Sequence, residues 1–484
     1  MKKITFVISE AKLHEHLSIM ALSSSLKKAG HETSLVFFQN APLNKAKIIK
    51  ALEKESPDII ALSFMSCVKD HYVDLGLSIK QHLDIPIIIG GPAATFDEGL
   101  HVFANHPFDA ICIGEGDLSI VEFVNSYKNS NNLASMPNFL LRTGDRNGNE
   151  VKDNLLDLID PLDQLPFPDR KIIYDKDDFL RNSKIKMFMS GRGCPYQCTY
   201  CFNHKYNSMY KDKGRIIRHK SVDYFLEEVR QIKKEYPLEG IIFEDDIFVI
   251  NKEWLAEFAA KYPRQIGLPY MCYVRPNLVT QEIAGLLKKS GCYSVRVAIE
   301  CGNEDLRNKI LKRNLSDDQI LKSCRILHDE NLKVGTINIL GLPTETIEDM
   351  KETLKLNRAC EPEHVSANMF MPLPGVDLTR FAIKEGLLDE NFASPKSSHH
   401  VSQMKYSDDV IKFLYPFKAL FPLMVQNKYM MDKASLLMKL PKPFLKIIDS
   451  SYRLYRNSRF YPPVRFGIRD KLRSLRRYIS IVSG

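Results

Sequence analysis

Two blocks of alternating strand-like and helix-like segments constrain the fold of this chain more than any other feature of its sequence. In the first block, the strand-like runs lie at residues 4–9, 33–38, 59–63, 87–90 and 110–113, with helix-like runs between them. Strands that alternate with helices in this way form a doubly wound parallel sheet, which binds ligands at the carboxyl ends of its strands. We therefore predict an α/β, Rossmann-like domain over residues 1–140.

A proline-rich segment separates this block from the second one. Pro161, Pro166 and Pro168 lie close together, and prolines at this density favour a semi-rigid connector, so we place a linker at residues 141–180. Strand-like runs then resume at residues 186–190, 240–244, 270–274, 294–299, 334–340 and 364–371. They predict a partial (β/α)6 barrel over residues 181–400, with its active-site loops at the carboxyl ends of the strands. A helical, basic region follows over residues 401–484.

Three of the ten cysteines are clustered, and they come just after the first strand of the predicted barrel. In a long chain whose start does not resemble a signal peptide, clustered cysteines indicate metal or redox chemistry more than disulfides. Iron–sulfur clusters prefer thiolate ligands, normally four, so Cys194, Cys198 and Cys201 would leave one iron open. The alternative is a structural zinc site, which needs four ligands and for which His204 is the nearby candidate.

The arrangement Cys-x-x-x-Cys-x-Tyr-Cys, with Tyr200 before the last cysteine, resembles the signature of the radical S-adenosylmethionine (radical SAM) superfamily. This resemblance implies that the three cysteines bind a 4Fe–4S cluster and that the open iron chelates S-adenosylmethionine (SAM). An electron from a donor such as flavodoxin or ferredoxin would then cleave SAM to a 5′-deoxyadenosyl radical. Tyr200 would lie beside the adenine.

Three later segments are similar to further strands of the same superfamily. By this resemblance, Glu244 and Asp245 hold the methionine amine at the end of the second barrel strand, unless they belong to a solvated acidic loop. Glu300 faces the ribose or the methionine, although Cys301 stands beside it where serine is more usual. Gly341 allows the backbone to approach the adenine closely.

Next to such a core, the first block resembles the cobalamin-binding domain of cobalamin-dependent radical SAM enzymes. The resemblance implies that Gly90 and Gly91 form a slot without side chains for the nucleotide tail, and that Ser63 donates a hydrogen bond to it. Gly114 and Glu115 form the next turn along the same edge. The sequence lacks the Asp-x-His-x-x-Gly motif whose histidine binds cobalt. The alternative is a Rossmann-like domain that has lost its cofactor.

The two cofactors together imply a methyltransferase that acts on an unactivated carbon of a small-molecule or lipid-like substrate. Alternatives are a cobalamin-associated cyclase or rearrangement enzyme, a radical SAM enzyme without cobalamin, and, outside enzymes, a zinc-stabilised binding module. A methylthiotransferase is disfavoured, because its second cluster needs three more cysteines and the first block contains only Cys67 and Cys112.

The net charge of +9 is concentrated at the carboxyl-terminal end, where residues 441–484 contain 11 Lys or Arg and two acids. Basic and apolar residues alternate there at helical spacing, which predicts either contact with an anionic membrane or a solvated helix over the barrel mouth. No recognised nucleic-acid-binding fold accompanies the charge, so we expect no nucleic-acid partner. Because no apolar run reaches the roughly 20 residues that span a bilayer, we expect a cytoplasmic protein with peripheral membrane contact as an option.

Overall fold

The computed structural model of this protein describes residues 1–9, 15–38, 44–127, 136–142, 154–392 and 403–464, and it contains two six-stranded sheets. The first sheet comprises β1 (Lys3–Ser9), β2 (Glu32–Phe38), β3 (Ile59–Ser63), β4 (Ile87–Gly90), β5 (Ala110–Cys112) and β6 (Phe139–Leu141). Its strand order is β2-β1-β3-β4-β5-β6, and all pairs are parallel except β5 with β6. The five strands predicted from the sequence are confirmed. β6 was not predicted, because three apolar residues show no periodicity.

Helices cover both faces of the first sheet, which explains why its strands are apolar on both sides. They are α1 (Leu17–Lys28), α2 (Lys45–Glu55), α3 (Lys69–His82), α4 (Pro92–Phe96) and α5 (Ser119–Ser126). In β3, Ile60 and Leu62 join the core under α2 and α3, whereas Ile59 and Ala61 join the core under α1 and α5. The strand order changes direction between β1 and β3, and a doubly wound sheet binds its ligand at such a point.

The second sheet follows two short helices, α6 (Lys171–Tyr174) and α7 (Asp178–Asn182). In chain order the next elements are β7 (Ile185–Phe188), β8 (Gly191–Arg192), α8 (Phe202–Met209), β9 (Arg218–His219), α9 (Val222–Glu235), β10 (Gly240–Phe243), α10 (Lys252–Gln265), β11 (Tyr270–Val274), α11 (Gln281–Lys289), β12 (Cys292–Glu300), α12 (Asp317–Asp329), β13 (Lys333–Leu340), α13 (Ile347–Ala359), β14 (His364–Met369) and α14 (Asp377–Lys384). The sheet order is β14-β13-β12-β11-β10-β7, all parallel, and the sheet curls into a half-barrel. The predicted partial (β/α)6 barrel is therefore confirmed. The antiparallel ribbon of β8 and β9 was not predicted.

The two faces of the half-barrel have different partners. Its outer face packs on helices through residues such as Phe243 and Val297. On the inner face, Met187, Ile242 and Met271 form a separate apolar group with Phe460 from the end of the chain.

Three helices form the predicted helical carboxyl-terminal region, α15 (Asp408–Gln426), α16 (Lys428–Leu437) and α17 (Lys442–Phe460). The ring of Phe460 packs at a tilt against that of His364, the first residue of β14, with the ring centroids 4.8 Å apart, and it fills the space that Gly335 leaves near the start of β13. The idea that residues 441–484 form a solvated helix over the barrel mouth is therefore wrong for their described part, because Phe460, Pro462 and Val464 pack at the opposite, amino-terminal end of the strands. Residues 465–484 lie outside the described residues. No helix in the described ranges is long and apolar enough to cross a membrane.

Candidate active site

The three clustered cysteines lie in the loop between β8 and α8, beyond the carboxyl end of β7. Gly193 begins this loop with φ +99°, and any side chain there would overlap the carbonyl group of Ile216. Thr199 ties the middle of the loop to a neighbouring segment: its Oγ1 donates to the carbonyl of Ile310 at 2.8 Å, and its N–H donates to that of Leu311 at 3.2 Å. The loop is thus held in place from both sides.

The cysteines themselves are protected from solvent. Cys198 is buried, Cys194 and Cys201 are half-buried, and burial raises the pKa of Cys194 to about 11 and that of Cys201 to about 12. Such thiols stay protonated at neutral pH until a metal displaces the proton, and soft sulfur ligands suit iron–sulfur clusters. Within the described ranges, no three His, Cys, Asp or Glu side chains form a site for a single metal ion. His204, the fourth ligand required by the zinc alternative, instead contacts Asp377 through Nε2 at 2.6 Å.

Two buried arginines that were not predicted from the sequence flank Cys198. Nη1 of Arg275 lies 3.7 Å, and Nη1 of Arg313 lies 3.9 Å, from its Sγ. The guanidinium of Arg275 also stacks on the ring of Tyr196, 3.7 Å from the centroid. Because both cations are buried, they favour negative charge on any group bound at this loop. No local sequence pattern marks them, since they follow different strands and meet only in the fold.

Tyr200, Glu300 and Arg313 form a polar group beside the cysteine loop. Arg313 donates to Oη of Tyr200 at 2.6 Å, and Tyr200 donates to Oε1 of Glu300 at 3.1 Å. Glu300 ends β12 with φ +69°, a strained conformation for a residue with a side chain. Its Oε2 is buried without a hydrogen-bond partner, and burial raises the pKa of its carboxyl group. A ligand that brings a hydroxyl or an ammonium group, as SAM does, fits this unsatisfied acceptor.

The acidic segment after β10 divides its carboxylates between two roles. Asp245 is buried and accepts hydrogen bonds from the backbone of Ser190 at 3.0 Å and of Gly191 at 2.6 Å, so it fixes the chain before the cysteine loop. Glu244 and Asp246, which stand on either side of Asp245 in the chain, line the cavity described below. The geometry therefore leaves Glu244 and Asp246, and not Asp245, available to a ligand.

Gly341 makes the close backbone approach that was predicted, but the approaching group belongs to the protein. A Cβ atom at Gly341 would lie 2.7 Å from Oη of Tyr406, which donates to the Gly341 carbonyl. The N–H of Gly341 donates to the buried carboxyl group of Glu345. This packing accounts for the glycine without a ligand, and its role toward SAM stays a prediction.

A cavity of about 430 Å³ lies between the two sheets. The five residues predicted to contact cobalamin all line it, namely Ser63, Gly90, Gly91, Gly114 and Glu115. The cavity continues into the apolar interior of the first sheet, where Ala61 and Ile88 form part of its wall. Glycines that line the cavity without side chains, together with its apolar wall, suit the nucleotide tail of cobalamin.

The opposite wall of this cavity belongs to the half-barrel. It includes Gly193, which begins the cysteine loop, Asn203 in α8, and the carboxylates of Glu244 and Asp246. Asn203 donates to Asp246 at 2.8 Å. One continuous space therefore reaches from the glycine turns of the first domain to the edge of the cysteine loop.

Two ion pairs join the first domain to the β8–β9 ribbon at the rim of this cavity. Arg192 binds both carboxylate oxygens of Asp117, at 2.7 and 3.0 Å, and Arg218 binds both oxygens of Glu115, at 2.6 and 3.1 Å. Although burial opposes it, the charge of Arg192 holds the pKa of Asp117 below its usual value. The carboxylate of Glu115 is thus engaged by the protein, so any contact with cobalamin would involve its other atoms.

Tyr210 of the half-barrel inserts into the turn after β5. Its Oη accepts the backbone N–H of Glu115 at 2.8 Å and occupies the space where Gly114 lacks a side chain. Gly114, which has φ +81°, is therefore required for the contact between the two domains as well as for the shape of the turn.

Glu244 makes stability depend on pH. Burial raises its pKa from 4.5 to about 7, although Arg296 opposes the shift. The folded state then binds more protons than the unfolded state, so this residue makes the free energy of unfolding fall as pH rises between these two values. We expect Glu244→Gln to remove that decline and to gain about 2 kcal/mol over the wild type between about pH 5 and about pH 8. Urea titrations followed by the fluorescence of Trp254 measure the difference.

The control for this experiment is Glu253→Gln, which replaces an exposed carboxylate. Equal pH profiles of the free energy of unfolding for wild type and Glu244→Gln would contradict the prediction.

The fold and the site define an enzyme in which a doubly wound, ligand-binding domain faces the cysteine loop of a half-barrel. Residues 188–356 match the model of the Radical SAM superfamily, and residues 5–124 match that of the B12 binding domain. The chain is thus a radical SAM enzyme with an amino-terminal B12-binding domain. Its cofactors are accordingly a 4Fe–4S cluster, SAM and cobalamin. The three thiols fit the cluster, the unsatisfied Glu300 oxygen fits SAM, and the glycine-lined slot fits cobalamin.

Several known proteins are similar to this chain. An uncharacterized methyltransferase of Pyrococcus horikoshii is 23% identical over 371 residues, which make up 76% of this chain and 79% of the relative. The cobalamin-dependent SAM radical enzyme OxsB, with aqua-cobalamin and SAM bound, superposes with a TM-score of 0.69 at 16% identity over 100% of this chain and 79% of that one. The radical SAM methyltransferase TsrM of Kitasatospora setae, bound to tryptophan and a SAM analogue, superposes with a TM-score of 0.64 at 15% identity. The superposition covers 80% of this chain and 76% of TsrM. At these identities, the two structures show a shared fold.

Proposed function

We propose that this enzyme transfers a methyl group to an unactivated carbon of a small-molecule or lipid-like substrate. The observation that carries the proposal is the single cavity that joins the glycine slot of the B12-binding domain to the cysteine loop. Methyl transfer between two cofactors requires the substrate to be held between them, and this cavity is the space that both domains share. The names of the Pyrococcus relative and of TsrM, both methyltransferases, support the same reaction.

When bound, the cluster with one SAM would supply a radical that removes a hydrogen atom from the substrate and ends as 5′-deoxyadenosine, and cobalamin would supply a methyl group taken from a second SAM, which leaves S-adenosylhomocysteine. The protein orients these groups and excludes water. In this proposal, Cys194, Cys198 and Cys201 hold the cluster. The two arginines beside Cys198 favour the negative charge of the cluster ligands and of the SAM carboxylate.

The remaining site residues position SAM and cobalamin. Glu300 accepts a hydrogen bond from SAM through its unsatisfied oxygen, and Tyr200 keeps that carboxylate in place. Glu244 accepts the methionine amine from the cavity side. On the opposite wall, Gly90 and Gly91 admit the nucleotide tail, and Ser63 donates a hydrogen bond to it. A flavodoxin or ferredoxin delivers the electron.

Filling the glycine slot should separate the two halves of the reaction. A Cβ atom at Gly90 meets only Cys112 at 3.8 Å, an ordinary contact, so Gly90→Leu is compatible with the backbone but occupies the cavity. We expect cobalamin affinity to fall about 10- to 100-fold, as overpacking costs imply. With SAM and a reductant under anaerobic conditions, the variant should still form 5′-deoxyadenosine but lose S-adenosylhomocysteine. Absorbance titration with hydroxocobalamin and chromatography of the products measure both effects.

The wild type and a matched control complete this experiment. Gly285→Leu, at an open position on α11, should bind cobalamin as the wild type does. Wild-type protein that binds cobalamin and forms both products supports methyl transfer. Formation of 5′-deoxyadenosine alone by the cobalamin-loaded wild type would overturn it in favour of a cyclisation or rearrangement.

A further inference from the structure

The two last described helices present apolar side chains to solvent. In α16, Tyr429 and Leu436 are 80% and 69% exposed, and in α17 Phe444 and Ile447 are 58% and 62% exposed. Large apolar residues at this exposure on consecutive helices are unusual for a surface that faces only water. These four residues and Tyr455 lie on two helices that each pack on α15, and we call them together the α16–α17 face.

The orientation of α17 is fixed by its packing, so this exposure is a property of the fold. On the inner side of the helix, Leu445 is fully buried, and Asp449 pairs with Lys418 of α15 at 3.2 Å. On the outer side, Phe444, Ile447 and Tyr455 recur at helical spacing. A surface helix normally places polar residues outward, so α17 has an apolar stripe where solvent contact predicts a polar one.

Exposed lysines accompany this apolar stripe along the chain, and one of them, Lys442, lies over the ring of Tyr415 of α15 at 5.8 Å. Lys433, Lys439, Lys442 and Lys446 are exposed on the same two helices and on the turn between them. The chain from residue 441 onward carries the net charge of +9. Apolar and aromatic side chains with lysines at their border are the pattern by which a helix lies in the interface of an anionic bilayer.

We infer that the α16–α17 face docks this enzyme on an anionic membrane surface. The apolar stripe enters the headgroup region, and the lysines contact anionic lipid phosphates. This inference does not depend on methyl transfer, because the face lies on helices that hold none of the proposed cofactor ligands. It would place the enzyme next to a lipid-like substrate.

Vesicle co-sedimentation of the full-length chain tests this inference. We expect the wild type to bind vesicles with about 30 mol% phosphatidylglycerol at low salt, to bind neutral phosphatidylcholine vesicles weakly, and to dissociate as salt rises. The variant F444S/I447S should lose about 10- to 100-fold in vesicle affinity, because two partly inserted apolar side chains are removed. The control L77S/V102S replaces two apolar side chains that are each 50% exposed in the first domain, and it should bind as the wild type does.

Charge reversal tests whether the lysines of α17 contribute to vesicle binding. K442E/K446E should weaken vesicle binding, whereas K50E/K54E, on the exposed side of α2, should not. Unchanged Trp254 fluorescence and thermal unfolding show that each variant is folded. The inference is overturned if wild-type protein fails to bind anionic vesicles at low salt. Equal binding by F444S/I447S and wild type would also overturn it, and would indicate that other basic residues attract the vesicles without this face.

Discussion

Replacing Cys198 with alanine is expected to abolish the broad iron–sulfur absorbance of the reconstituted enzyme and to lower 5′-deoxyadenosine formation by about a thousandfold or more, as when a group essential to a chemical step is removed. Cys198 is the most buried of the three clustered thiols and the one flanked by Arg275 and Arg313. Two ligands cannot hold the cluster in the geometry that three provide. Iron and sulfide analysis after anaerobic reconstitution measures the first effect, and a timed product assay measures the second.

The control for this experiment is Cys67→Ala, because Cys67 is half-buried in the first domain and far from the cysteine loop in sequence. It should keep full iron content and full 5′-deoxyadenosine formation. Near-normal absorbance in Cys198→Ala would remove the basis for assigning this loop as the cluster site. One zinc per wild-type chain in place of about four irons would have the same consequence.

Replacing Arg218 with methionine should lower the free energy of unfolding by about 3–5 kcal/mol, the usual cost of breaking a buried ion pair. The side chain of Arg218 is fully buried, and its removal leaves the carboxylate of Glu115 with the longer contact to Arg192, at 3.5 Å, as its remaining ion pair at the cavity rim. Cobalamin affinity should fall as well, because the ribbon that carries Arg218 holds the two domains together. Urea unfolding and cobalamin titration measure the two effects.

Two further variants isolate the cause. Arg230→Met removes an exposed ion pair with Glu227, whose side chains are 47% and 41% exposed, and should change stability by about 0–1 kcal/mol. Adding Glu115→Gln to Arg218→Met removes a carboxylate that has kept only its longer ion pair with Arg192, and should restore part of the lost stability. If Arg218→Met were no less stable than Arg230→Met, the proposed role of this pair between the domains would be wrong.

Local sequence patterns predicted the architecture well because each pattern had a local physical cause. Eleven of the twelve strands in the two large sheets were found from short apolar runs, since parallel strands are buried on both faces. The cysteine loop and the glycine turns were found because their spacing and position relative to strands are fixed within a few residues. β6 was missed because it is only three residues long.

Contacts between distant segments could not be read from the sequence. Arg275 and Arg313 approach Cys198 from separate strands, and nothing in their neighbours marks them. Asp245 resembled its acidic neighbours but is used for backbone hydrogen bonds, and the space at Gly341 is taken by Tyr406. In each case the partner lies 50 or more residues away, so only the fold decides which atoms meet.

The packing of Phe460 against the inner face of the half-barrel has a consequence for biosynthesis. The inner residues Met187, Ile242 and Met271 complete their apolar group at the amino-terminal end of the strands when residue 460 packs among them. A nascent chain on the ribosome therefore leaves this apolar surface without Phe460 until residue 460 has been made, and contacts of such long sequence separation form slowly. Chains truncated before residue 460 would keep this apolar surface of the half-barrel exposed, and chaperones and proteases would bind them for that reason.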